Sequence, residues 1–317
     1  MRFLVGAMLF SASLGVLAQQ PTRPPAAEHE KPLPDLVTIM QKAILKERAS
    51  ETALQGYLVH ETLSLVEGLG RGSYWESVSE EDRESEGFWL QGVRVSRLVR
   101  TSGFTHHDRG YGHTLSPEEL HRENARIDAE LVEVAKARVA GDTEGERRAA
   151  GILNEIRVSR FLELGTYTNL RRGDRRGRKA IIVDYQGRAC VDACTLLDRA
   201  ARYIEGTLWI DEEDLAVSEF KGRFIETWIE PGKGGQKVLK GSTLAYVSVR
   251  RDDGVWFPAS MLFETQVNRG SSAHTSSVLL SFNGYSKFRA TSTILPDYAL
   301  VPEDVVPEAP TTTSPPR

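Results

Sequence analysis

Glu205-Gly-Thr-Leu-Trp-Ile-Asp-Glu-Glu-Asp214 opens a stretch that runs through Gly254-Val-Trp-Phe-Pro258 to Phe288. Its reading decides the fold. Almost every residue in it suits a strand or a tight turn. From Val255 to Val267 the odd positions carry Val255, Phe257, Ala259, Met261, Phe263, Thr265 and Val267, an apolar face, while the even ones are mixed: Trp256, Pro258, Ser260, Leu262, Glu264 and Gln266. This is the period-two pattern of a half-buried strand. From Val278 to Phe288 the even face carries Val278, Leu280, Phe282 and Phe288. Arg251-Asp-Asp-Gly254 joins two such runs, and Asp-Gly is a strong hairpin signal. Short turns between consecutive strands require antiparallel pairing, because parallel strands need long crossovers.

The segment from Leu215 to Ile229 departs from simple alternation. One face offers Leu215, Val217, Ile225 and Ile229, and the other Phe220, Phe224 and Trp228. Apolar residues on both faces imply a strand that is covered on both sides or lines a cavity. The two readings weigh equally from pattern alone.

Composition bounds the class. The chain has 317 residues, a net charge of −4 and 26% charged residues, which is ordinary for a soluble protein. An acidic balance argues against a nucleic-acid partner, which calls for a basic face. Arg2 followed by the apolar run Phe3–Leu17 reads as a secretory signal cut after Ala18, and it is too short for a comfortable membrane span. No other stretch is long and apolar enough to serve as an integral membrane segment. The mature chain is expected in the periplasm or outside the cell. Cys190 and Cys194 are then expected to form a local disulfide, with two unpaired thiols as the alternative.

In chain order, residues 19–33 form a Pro- and Ala-rich flexible leader. Asp35 starts a helix to about Arg48, with Leu36, Ile39, Met40, Ala43 and Ile44 on one stripe. Strands are expected at about 56–65, 72–78, 87–91 and 93–101, with the charged run Glu80–Glu86 as a solvated turn. Thr105-His-His-Asp-Arg-Gly-Tyr-Gly-His113 has metal-ligating residue types, but no regular spacing, and is read as a polar loop with no metal. Ser116-Pro-Glu-Glu119 has the form of a capping box. It begins a helical hairpin inserted at 116–162 and broken at Gly141–Gly145. Strands resume at about 164–171 and 179–185, around the basic turn Arg171–Arg178. That turn is read as solvated, with an anionic partner as the functional alternative. Asp192 caps a short helix to about Tyr203. Residues 297–317 read as a Pro- and Thr-rich disordered tail. No Pro/Gly/Ser-rich linker interrupts the strands, so residues 34–296 are expected to be one domain.

The patterns predict a mainly antiparallel β protein with helices. Gly206-Thr-Leu-Trp-Ile-Asp211, Gly254-Val-Trp-Phe-Pro258 and Gly284-Tyr-Ser-Lys-Phe288 carry a resemblance. Over roughly Pro34 to Pro296 the chain resembles the lipoprotein carriers of the bacterial envelope, with the related lipoprotein-sorting and sigma-regulator families. The resemblance implies a curved, unclosed sheet, a half-barrel, capped by α-helices over an apolar cavity for acyl chains. The inserted hairpin departs from the compact family pattern.

The functional expectation is an exported, non-enzymatic protein that binds an acyl lipid or lipoprotein and uses no cofactor. The alternative is a sensor on the same scaffold that recognises an envelope protein. A metal-binding protein or an enzyme of unknown reaction ranks third, because the sequence has no nucleophile elbow, zinc helix or phosphate loop. Phe220, Phe224, Trp228, Phe257, Met261 and Phe263 are the expected lining of an apolar groove.

Overall fold

A computed structural model describes residues 32–71, 74–105, 108–151, 154, 156–191, 194–229, 237–269 and 272–287. The expected signal peptide, the leader up to residue 31, the tail, His106, His107 and the expected cap Asp192 lie outside the described residues. The described residues from Leu36 to Lys287 fall in one compact unit, which holds every element below.

The chain opens with helix α1 (Leu36–Leu54), one and a half turns longer than the periodicity predicts. Four strands follow: β1 (Tyr57–Arg71), β2 (Tyr74–Leu90), β3 (Val93–Thr105) and β4 (Asp108–Thr114). Helices α2 (Pro117–Ala140), α3 (Thr143–Ala150) and α4 (Val158–Glu163) form the insertion. Then come β5 (Gly165–Arg175), β6 (Arg178–Gly187), helix α5 (Leu196–Ala201), β7 (Ile204–Asp211) and β8 (Val217–Phe224). A small pair, β9 (Trp228–Ile229) and β10 (Lys237–Val238), precedes β11 (Thr243–Arg250), β12 (Trp256–Arg269) and β13 (Ser272–Lys287).

Eleven strands make one antiparallel sheet in the order β4-β3-β2-β1-β13-β12-β11-β8-β7-β6-β5. The first and last strands in this order do not pair, so the sheet is curved but unclosed, with helices over it. The last strand, β13, inserts between β1 and β12, which joins the two halves of the chain through its centre.

Several sequence expectations are corrected. The run Glu80–Glu86 is inside strand β2, not a turn. Three of its acids are compensated: Glu84 pairs with Arg100 and Glu86 with Arg97 of β3, while Glu81 takes Arg83. Opposite charges facing across a ladder stabilise it, so the polar run stays extended. The segment from 215 to 229 is not one strand. β8 ends at Phe224, and Trp228 belongs to the separate pair with β10. The second arm of the insertion is two helices, because α3 stops at Ala150 before Gly151, whose φ is +78°. Residues 108–114 form strand β4 rather than a loop. The short helix α5 is capped by Thr195, in a capping box with Asp198. The basic turn shrinks to Arg176–Gly177, both at positive φ, and its neighbours continue the β5–β6 ladder.

The expected start at Ser116 holds. Its side chain accepts from the Glu119 backbone N–H, and the Glu119 carboxylate bonds back to the Ser116 N–H at 2.8 Å. Cys190 and Cys194 are bonded, with Cα atoms 5.9 Å apart.

Candidate functional site

The site grows from the register of the sheet. Phe220 of β8 faces Tyr246 of β11, Tyr246 faces Met261 of β12, Met261 faces Leu280 of β13, and Leu280 faces Leu63 of β1. On the other side Phe220 faces Leu208 of β7, which faces Val183 of β6. Residues directly opposite in a ladder share a face. One apolar row therefore crosses seven neighbouring strands.

Helices cover only part of this row. Phe161 of α4 stacks on Tyr185 at 4.5 Å and meets Phe220 edge-on at 5.0 Å. The half of the row at β6–β8 is thereby closed as ordinary core. The half at β11–β13 borders a cavity of about 1050 Å³ between sheet, α1 and the insertion. Tyr246, Met261, Leu280, Phe282 and Tyr285 contribute from the sheet, joined by Val59 and Trp89. Ala150, Ile156 and Val158 line it from the insertion, together with Arg138, Arg147 and Arg157.

Polar contacts hold α1 over the sheet. Its apolar stripe continues past Ala43 to the buried Glu47 and Ser50. The Glu47 Oε1 accepts a hydrogen bond from the Val217 backbone N–H at 2.8 Å. Burial pushes the Glu47 carboxyl up to about 8, with the neighbouring Glu51 charge adding to it and the Val217 bond opposing it. The Glu51 carboxylate accepts from the Ser159 N–H at 2.9 Å and its hydroxyl at 2.7 Å, which ties α1 to the first turn of α4. Arg48 pairs with Glu163 at the other end of α4. Tyr246, buried on β11 at the cavity wall, has its hydroxyl pKa raised by burial first and by Glu47 second.

A second buried group stands beside the cavity. Glu61 of β1, almost fully buried, is held by Arg94 and by the Ser96 hydroxyl at 3.0 Å, both on β3. Desolvation still raises its pKa, against the pull of Arg94. The Arg94 guanidinium lies over the Trp89 and Phe282 rings, at 5.8 and 5.5 Å. β2 passes Glu61 at Gly87, where a Cβ would stand 1.8 Å from Glu61 Oε1. Asn154 fixes the insertion to the same strand: its side chain accepts from the Arg94 N–H at 2.7 Å and donates to the Arg94 carbonyl at 2.9 Å.

The six residues expected in the groove are distributed unevenly. Met261 lines the cavity. Phe220 is closed under Phe161. Phe257 is fully buried between Tyr57 at 4.7 Å and Tyr285 at 4.9 Å. Phe224 is buried beside Phe263, their rings 6.1 Å apart. Trp228 sits on the β9–β10 pair. Of the six, Met261 alone is among the residues that line the cavity. Its ladder neighbours there are Tyr246 of β11 and Leu280 of β13, and the β1–β13 pairing joins residues more than two hundred positions apart.

The basic segment 171–178 is not a free cationic patch. Arg171 pairs with Asp184, Arg172 with Glu212, Arg175 with Glu219 and Arg178 with Asp211. A smaller recess of about 230 Å³ lies among these residues. His113 of the histidine-containing segment contacts Glu119 at 3.3 Å. No cluster of three metal-ligating side chains occurs among the described residues. No described helix is long and apolar enough to cross a membrane.

No protein-family profile matches the chain, and no curated protein matches it. Solved structures similar to it include a LolA superfamily protein from Nitrosomonas europaea, 11% identical with a TM-score of 0.31. That comparison covers 82% of this chain and 96% of the other. A DUF1329 family protein from Desulfovibrio piger is 10% identical with a TM-score of 0.32, covering 82% of this chain and 96% of that one. An outer membrane lipoprotein-sorting protein domain from Vibrio parahaemolyticus is 8% identical with a TM-score of 0.32, covering 80% and 95%.

Proposed function

We propose that the protein is an exported, non-enzymatic binding protein that holds an acyl chain or similar apolar ligand in the cavity between sheet and helices. The carrying observation is the partial cover of the apolar row: α4 closes it at Phe220, and Tyr246, Met261 and Leu280 border about 1050 Å³. That volume is at the upper end for small-ligand cavities. Each methylene buried there contributes about 0.8 kcal/mol, so the sheet side alone can hold a long chain. A concave recess with an apolar wall is the default place for a ligand.

Export is supported by the apolar N-terminal run in the sequence and by the Cys190–Cys194 bond, which persists in oxidising compartments.

The test is titration of delipidated protein with a fluorescent fatty-acid analogue. Wild type should bind saturably, and Met261→Glu should bind at least tenfold more weakly while keeping its circular dichroism spectrum. Absence of saturable binding, or equal binding by the folded variant, contradicts the proposal.

A further inference from the structure

The insertion supplies chemistry that an apolar pocket does not need. Arg138, Arg147 and Arg157 all line its side of the cavity. Arg138 is fully engaged, with Nε and Nη2 on Glu146 at 3.0 and 2.7 Å. Arg147 is not. Its Nη2 bonds to Glu144, while its Nε is enclosed without an acceptor. Elsewhere in the chain the same two nitrogens grip one carboxylate together: Arg178 uses them on Asp211, and Arg175 on Glu219. The fork of Arg147 is therefore half occupied. Arg157 stands at the start of α4, caps it with no side-chain bond, and has no ion pair among the described residues.

We propose that the cavity takes a ligand with an acidic head, a carboxylate or phosphate monoester, gripped by Arg147 and Arg157 of the insertion while its apolar tail lies on the sheet. This rests on the apolar-ligand reading above and names the polar end of the ligand. A planar, two-oxygen acid matches the Nε/Nη2 fork and gives a bidentate, charge-assisted pair. The present partner of Arg147 is easily exchanged, because Glu144 is 59% exposed and surface pairs contribute little. Rotation of the guanidinium off Glu144 presents both nitrogens to the ligand. The enclosed Nε then gains the acceptor it lacks, which removes the cost of a buried unpaired donor. The acids that line the cavity are already committed: Glu47 to the Val217 N–H, Glu51 to Ser159, Glu146 to Arg138, Glu163 to Arg48 and Asp198 to Arg160.

The experiment compares hexadecanoic acid with hexadecanol by displacement of a neutral fluorescent acyl probe. Both are measured on wild type and on Arg147→Gln/Arg157→Gln. Wild type should prefer the acid by about tenfold, the size of one charge-assisted contact. The double variant should lose that preference and keep its affinity for the alcohol. Equal binding of acid and alcohol by wild type overturns the proposal, as does equal weakening of both by the variant. Binding of neither ligand removes the cavity reading itself, and this inference with it. A monoacyl phosphate of the same chain length separates the two acid sources. Preference for it over the carboxylate, lost in the double variant, supports the proposal and assigns a phosphate head.

Discussion

The Glu47 carboxylate on α1 accepts the backbone N–H of Val217, the first residue of β8, at 2.8 Å, and is nearly sealed from water. This contact joins the covering helix to the centre of the sheet. It also gives the fold a pH dependence. The Glu47 pKa is raised from 4.5 to about 8 in the folded chain, so the folded state holds the proton more tightly than the unfolded one. The resulting stability is complete below about 4.5 and is lost as pH rises through 8. Wild type should lose on the order of 5 kcal/mol between these limits from this group. Glu47→Gln keeps the acceptor and should remove most of the loss. Urea midpoints at pH 5 and pH 8.5 for both proteins decide it, and an identical pH dependence in the two refutes the assignment.

The Glu61–Arg94 pair should behave as a buried unit. Arg94→Leu leaves a carboxylate enclosed without its counter-charge and should cost about 3 kcal/mol. Glu61→Leu combined with Arg94→Leu should recover most of that. Gly87→Ala should destabilise independently, since the added methyl meets Glu61 Oε1 and Val59. Chemical denaturation of the three variants measures this. A double variant no more stable than Arg94→Leu contradicts a compensated pair.

The Cys190–Cys194 bond spans a sequence separation of only four, so it restricts the unfolded chain little. Reduction should lower stability by about 2 kcal/mol or less and leave ligand affinity unchanged. Unreduced, denatured protein should show no titratable thiol. Two thiols would remove the bond from the account.

Residues 34–296 are proposed to behave as one domain. β13 pairs with both β1 and β12, so cutting the chain between its halves would strand the central strand. Limited proteolysis should trim the ends and leave one resistant fragment. Two separately stable halves would contradict this.

The sequence made some of this legible and hid the rest for physical reasons. The hairpin at 251–254 and the helix start at Ser116 are local events, and local residues specify them. The long β2 was hidden because Glu80–Glu86 looks like a solvated turn until Arg97 and Arg100 of the next strand are placed opposite. Phe257 and Met261 share a parity in sequence, yet the ladder shifts register between them, at Val247/Ser248 against Ser260/Pro258. Such a bulge disrupts simple alternation, so face assignments drawn across it fail. The Glu47 signal was visible in part: the stripe Ile39, Met40, Ala43 reaches it at helical spacing, and an acid there marks a buried polar contact. The pairing of β1 with β13, which builds the sheet side of the cavity, has no local signal at all.

The most direct measurement of the central claim uses Trp89, which lines the cavity. A fatty acid brominated in mid-chain quenches indole emission only at close range. Titrated into delipidated wild type, it should produce saturable quenching. Trp89→Phe should show a smaller amplitude at the same midpoint. No saturable quenching, or an amplitude unchanged when Trp89 and Trp256, both lining the cavity, are replaced together by Phe, would place any bound chain outside this cavity and contradict the account.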